Sequence, residues 1–169
     1  MFSASKILEK AKTSVFHRAL LNWTLDRMIP FNKPHGFRVI ELKDHAIKTS
    51  IPYIKRNMNH IRGLHACAMA TLSEFTTGFL LISHLDQKKY RLIMQRLEME
   101  YHYQGKMDAV ASFKISEEWL LENIHLPLTT RDSVLVICEV KIHDVQGHHL
   151  TTGLVHWQVK DWQKVRTKA

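Results

Sequence analysis

The chain has 169 residues, 45% of them apolar and 24% charged, with six Gly and four Pro. That composition supports one globular domain with a small appendage and excludes disordered, low-complexity and collagen-like chains. The formal net charge is +8 and is unevenly placed: residues 1–62 carry twelve Lys/Arg against four Asp/Glu, whereas residues 63–169 carry twelve of each. Two cysteines, Cys67 and Cys138, stand far apart and form no metal or redox motif. A disulfide scaffold is therefore excluded, and a reducing, cytoplasmic compartment is expected. No charged-then-apolar-then-small pattern suggests a secretory signal, whereas the Lys-rich, acid-poor stretch 3–23 leaves organellar targeting open. No stretch reads as long and apolar enough to span a bilayer.

In chain order, Ile7, Leu8, Ala11, Val15, Phe16, Ala19, Leu20 and Trp23 recur at helical spacing, with Lys6, Lys10, Lys12, His17 and Arg18 on the other faces. This predicts one amphipathic helix that needs a surface to lie on. Pro30, Pro34 and Gly36 break it, so residues 1–35 form a helix and linker and residues 36–169 the main domain. Residues 37–42 and 46–53 read as strands joined at Lys43-Asp44-His45.

Residues 63–85 are the most unusual segment, because Glu74 is the only Asp, Glu, Lys or Arg among them. A helix apolar nearly all round must be buried nearly all round, and its small residues (Ala66, Ala68, Ala70, Thr71, Ser73) permit close backbone approach. The period then changes to two. Residues 90–103 and 107–115 read as strands about a turn at Gln104-Gly105-Lys106. Ser116 caps a short helix with Glu117 and Glu118 in its first turn. Residues 133–143 and 148–159 read as two more strands around Gln146-Gly147. The sum is an α+β architecture, an antiparallel sheet curled around one buried helix.

Chemistry concentrates at that helix. Glu74 has no basic neighbour in sequence, and burial without a cation raises a carboxylate's pKa. Such a group can take a proton from water; the alternative is a solvated helix Glu. The backbone N–H groups of Ala66 and Cys67, at the positive end of the helix, have no intrahelical partners and could stabilise a developing oxyanion unless a cap takes them. Ala66 and Glu74 lie eight residues apart, about 12 Å along a helix. If both act on one carbonyl, they must come from different copies of the chain, which predicts an obligate dimer with two sites.

The segment 59–78, NHIRGLHACAMATLSEFTTG, resembles the hot-dog-fold thioesterases, particularly the phenylacetate-pathway type, and a branch of them with an extra N-terminal helix. Those enzymes place an Asn in the loop before the central helix, a His-Gly-Gly-like turn at its start, and a carboxylate nine residues after the His. Asn59, His65 and Glu74 stand at those positions, and Gly63 is the small residue before the turn; Ala66-Cys67 replaces Gly-Gly. The resemblance covers roughly residues 35–160. It implies an acyl-CoA hydrolase, with coenzyme A as part of the substrate and no separate cofactor, working as a homodimer with tetramers left open. Glu74 would be general base or nucleophile. Ala66 would supply the oxyanion donor, and Asn59 would orient water or contact the carbonyl.

Each residue also has a plainer reading. Asn59 can be a turn residue. His65 can be a base, a substrate contact or a structural residue at the turn. Cys67 can be a nucleophile or, more simply, a small buried residue. Thr76 or Thr77 can bond the Glu74 carboxylate or the helix backbone. Gly63, Cys67 and Thr77 are candidate substrate contacts, and Lys55, Arg56 and Arg62 candidate attractors of the CoA phosphates. His148, His149 and His156 lack ligand spacing, so no metal is expected. Zinc-finger spacing and aromatic-basic motifs are missing, so no nucleic-acid partner is expected. The alternatives are a non-catalytic acyl-binding protein of the same fold and a hydroxyacyl-thioester dehydratase. The second is disfavoured because residues 59–74 lack the Pro its turn requires.

Overall fold

A computed structural model describes residues 4–165. The expected N-terminal helix is two helices, α1 (Ala4–Ala11) and α2 (Val15–Met28). The break falls at Ser14, whose extended backbone and hydroxyl cap α2 by accepting the His17 N–H. A capping serine satisfies an otherwise orphaned amide and starts a new helix despite the unbroken apolar spacing. Leu21 of α2 and Ala11 of α1 are buried in the main core.

Six strands follow in one antiparallel sheet: β1 (Arg38–Lys43), β2 (Ala46–Ile51), β3 (Tyr90–Tyr101), β4 (Ala109–Lys114), β5 (Ser133–Asp144) and β6 (His149–Asp161). Their order across the sheet is β1-β2-β4-β5-β6-β3. The α+β expectation holds, with one correction to connectivity. β3 and β4 do not pair as a hairpin about Gln104–Lys106; β3 pairs with β6 at the outer edge, and β4 sits between β2 and β5. The joining segment crosses the sheet end instead, held where Leu64 N–H donates to Gly105 O at 2.7 Å and His102 N–H to Leu150 O at 2.8 Å.

The helix α3 (Ala66–Ser83) lies in the hollow of the sheet and touches β2, β3, β4, β5 and β6. Leu72, Leu80 and Leu81 are fully buried, in one core cluster with Ile47, Val140, Ile142, Val155 and Val159. Small residues set the closest approach. A Cβ on Gly78 would stand 2.7 Å from the Trp157 ring, whose Nε1–H donates to Thr77 Oγ1 at 3.0 Å. Contrary to expectation, α3 does have the length and composition of a membrane span, with 18 residues of hydropathy 1.3, half of them buried within the fold. The fold accounts for that apolarity through the sheet that α3 packs on.

The cap on β4's exit is as expected: Ser116 accepts the Trp119 N–H at 3.0 Å and starts α4 (Glu117–Leu120). At the opposite side of the sheet, α2 covers the outer edge of β1. Asn22 donates to Val39 O at 3.0 Å and accepts the Val39 N–H at 2.8 Å, as a neighbouring strand would. Asp26 adds an ion pair to Arg38 at 2.8 Å.

Candidate active site

The loop before α3 is built from its own polar groups. Asn59 Oδ1 accepts the N–H groups of Ile61 (3.1 Å) and Gly63 (2.9 Å), and the Asn59 N–H donates to Gly63 O at 2.8 Å. This is Asx-type turn chemistry, with the side-chain carbonyl standing in for backbone. It commits Asn59 Oδ1 to the turn and leaves its amide NH2 as the group available to a ligand. Arg62 takes the left-handed conformation, φ 58°, which a non-glycine residue adopts at a cost. The Tyr53 hydroxyl, donating to Arg62 O at 2.5 Å, holds it there. Gly63 is buried, and a Cβ on it would meet the Gln104 side chain at 2.7 Å. Its role is to let these two segments touch.

Asn57 anchors this loop. Its side chain is fully buried. Nδ2 donates to His35 O (2.8 Å) and Pro52 O (2.9 Å). With both donors so used, Oδ1 must accept, so the His35 ring 2.8 Å away carries its proton on Nδ1. The Asn57 carbonyl in turn accepts the His65 N–H at 2.7 Å. A continuous run of hydrogen bonds therefore leads from the N-terminal segment to the first turn of α3.

His65 is the N-cap of α3, and its Nδ1 accepts the Cys67 N–H at 3.1 Å. A neutral ring used this way carries its proton on Nε2. One of the two candidate oxyanion donors is therefore capped by a side chain. Ala66 N–H has no acceptor among the described residues, and the Tyr101 hydroxyl fixes the same residue by donating to Ala66 O at 3.0 Å.

Burial of α3 is one-sided, which corrects the expectation of a helix enclosed all round. Ala66 and Cys67 are exposed and Ala70, Thr71 and Glu74 half-buried, forming one stripe along the side away from the sheet. A single curved sheet wraps one side of a helix only. Cys67 is thus exposed, not the small buried residue expected; Cys138 is the buried one, its thiol pushed up to about 12 by burial. Glu74 sits on the open stripe, and burial alone raises its pKa above the ordinary value of 4.5. No cation or hydrogen-bond donor answers its carboxylate among the described residues. Thr76 and Thr77 turn away from it. Thr76 bonds Leu72 O and Thr49, Thr77 bonds Ser73 O and receives Trp157, and both are fully buried. Thr77 is therefore placed in the helix–sheet contact.

The helix start separates two cavities. Ala66 and Asn59 line one of about 330 Å³, walled by Tyr101, His102, Tyr103 and Gln104. His65 and Cys67 line another of about 220 Å³, walled by Phe31, His35, Phe37 and Arg56. Glu74, Lys55, Gly63, Arg62 and Thr77 line neither. Of the three cations singled out, Arg56 reaches a cavity wall, whereas Lys55 and Arg62 are exposed on the neighbouring loop. No group of three or more His, Cys, Asp and Glu that could hold a metal occurs among the described residues.

Residues 17–159 match the family model of DUF4442, a domain of unknown function. The chain belongs to the DUF4442 family. Its fold is shared with a Pseudomonas aeruginosa protein named a probable thioesterase, at 20% identity and a TM-score of 0.78, covering 85% of this chain and 95% of that one. A Chlorobaculum tepidum protein of unknown function aligns at 9% identity and a TM-score of 0.73, over 89% and 98% of the two chains. A Haemophilus influenzae thioesterase aligns at 10% identity and a TM-score of 0.65, over 99% and 96%. No curated protein matches the sequence. The DUF4442 chain thus has the hot-dog fold, a curved antiparallel sheet around a central helix, with N-terminal helices added.

Spacing alone did not reveal three residues that shape this DUF4442 site. Asn57 and His35 lie 22 positions apart, and nothing in either neighbourhood marks them as a pair. Tyr101 reads as one more strand aromatic until its hydroxyl is seen on Ala66 O. The one signal for Asn57 was an amide in an otherwise basic loop, two residues before the Asn that was singled out.

Proposed function

We propose that this protein hydrolyses acyl thioesters, with acyl-CoA as substrate, as a homodimer whose two sites each draw on both copies. The observation that carries this reading is Glu74, a partly buried carboxylate without a partner among the described residues, on the open stripe of the helix whose first N–H is likewise unpartnered among them. The names of fold neighbours as thioesterases support the same reaction class. The roughly 12 Å along α3 from Ala66 to Glu74 forbids one copy from supplying both groups to one carbonyl. The uncovered stripe on α3 and the outer strand β3 are surfaces a second copy can meet.

In the proposed reaction, Glu74 of one copy takes a proton from water as the water oxygen attacks the thioester carbonyl. The carbonyl oxygen gains negative charge against Ala66 N–H of the other copy. Collapse of the tetrahedral intermediate breaks the C–S bond, and the departing thiolate receives the proton from Glu74. Direct attack by Glu74, giving an anhydride that water then cleaves, is a variant with the same requirement for that carboxylate.

The test is release of free thiol from acyl-CoAs of different chain length and from aryl-CoAs. Glu74→Ala should lose turnover by about 10²–10⁴-fold while retaining its circular dichroism and sedimentation coefficient. Wild-type rates from that variant would refute the mechanism. One observation favours a second reading, a non-catalytic acyl-CoA binder: His65 already occupies the Cys67 N–H. Saturable calorimetric binding of acyl-CoA with no hydrolysis across the panel would establish it.

A further inference from the structure

We infer that the outward face of α2 is a docking surface for an anionic lipid bilayer. α2 is apolar on two opposite sides. The inward side packs Leu21 and Leu25 on the core and carries the Asn22 bonds to β1. On the outward side, Ala19, Trp23 and Phe16 fall within an arc of about 60° at 3.6 residues per turn, with Val15 at the start of the helix beside them. They are not sheltered: Val15 is 74%, Phe16 71% and Trp23 54% exposed. Past the helix end a further aromatic, Phe31, is 64% exposed. A surface helix normally turns a polar side to water, and a contiguous apolar patch rimmed by charge marks an interaction site.

The charge around the patch selects the partner. Residues 4–35 contain six Lys/Arg and two Asp/Glu. Both acids are answered, Glu9 by Lys12 and Asp26 by Arg38. Lys6, Lys10, Arg27 and Lys33 are exposed. Protein–protein interfaces are depleted in lysine; helices that lie in a membrane interface combine Lys/Arg with Trp, Phe and Leu. The Arg27 guanidinium stands 3.3 Å over the Trp23 ring, a pairing of aromatic ring and cation suited to the headgroup level. Anionic headgroups satisfy the cations while the acyl boundary takes Phe16 and Trp23.

The chain leaving α2 reaches a cavity. Phe31, three positions past the helix, is both exposed and a wall of the chamber lined by Arg56, His65 and Cys67. An amphiphile held in the bilayer surface would therefore meet the start of α3 without crossing open water. This delivery role rests on the thioesterase reading; the docking does not.

The experiment is co-sedimentation of the full chain with vesicles of phosphatidylcholine alone and of phosphatidylcholine mixed with phosphatidylserine, across a salt series. Binding is expected to the mixed vesicles, to weaken with salt, and to be slight on phosphatidylcholine alone. Phe16→Ser with Trp23→Ser should release the protein while leaving its melting curve in place, since both side chains are exposed. Lys10→Gln with Lys33→Gln, which keeps the apolar face, should lower affinity by about fivefold for each cation removed. Wild-type protein remaining in the supernatant at low salt, or either variant binding as tightly as wild type, overturns the inference. So does a smaller mass for the double serine variant by light scattering, with wild type ignoring vesicles; that result assigns the face to a second copy.

Discussion

Replacing Asn57 by alanine removes the best-connected polar side chain in the loop before α3. The change deletes two donors and one acceptor and leaves His35 O, Pro52 O and His35 Nδ1 to find other partners. Because the site is fully buried, water cannot replace the lost bonds without opening the loop. At about 1–3 kcal/mol for each buried group left unsatisfied, and with the half-buried His35 ring free to turn outward, the loss is about 3–5 kcal/mol. For a chain of this length that lowers the melting temperature by about 10 °C, measurable by calorimetry or circular dichroism. Asn57→Asp sharpens the test. It keeps volume and the acceptor for His35 but sets carboxylate oxygens against two carbonyls, so it should melt no higher than the alanine variant. If volume alone mattered, the aspartate would behave like wild type. An alanine variant melting within about 2 °C of wild type would show that this hydrogen-bonded run does not hold the start of α3.

Three other outcomes are expected. Gly78→Ala drives a Cβ to 2.7 Å from a Trp157 ring that is itself tied to Thr77. Overpacking of about 1–3 kcal/mol exceeds the roughly 1 kcal/mol that alanine adds to helix propensity, so urea unfolding should show a net loss; a stabilised variant would mean the ring shifts freely. Burial raises the Glu74 pKa in the folded chain above 4.5, so folding favours the neutral acid. That stabilisation is complete below 4.5 and is lost as pH rises through the folded value. Glu74→Gln should accordingly melt higher than wild type at neutral pH, with the gap closing in acid; an equal gap at all pH values would contradict the burial argument. Neutralising Lys55, Arg56 and Arg62 together should raise KM for acyl-CoA and flatten its salt dependence, and an unchanged KM at low salt removes the steering role.

The central helix was legible because a long apolar segment with one charge needs a large apolar partner surface, here the sheet, and β5 and β6 because alternation over a dozen residues fixes a strand and its inward side. Period two does not say which strand pairs with which, and so the β3–β4 turn read as a hairpin while Gly105 was in fact bonded to Leu64. The apolar phase of residues 7–23 runs unbroken through Ser14, which is why two helices read as one. The exposure of Cys67 was hidden for a related reason. Small residues suit a packed backbone and an open stripe equally, and sequence does not show where the sheet ends. In the site, Glu74 stood out by its isolation, whereas Asn57 acts through long-range bonds to His35 that leave no local trace.

The way Asn22 seals β1 has a consequence for how copies can join. A sheet with two bare edges can add neighbours at both ends and grow without limit. Here the backbone groups of Val39 on one outer edge are taken by a side chain of α2, whereas β3 is the outer strand on the other side of the sheet. If the protein pairs as proposed, sheet-to-sheet joining is disfavoured at this point of β1, which favours a closed pair over a fibre. On that reading α2 would act as a terminator of assembly. Asn22→Ala, by reopening that edge, would be the place to look for open-ended aggregation.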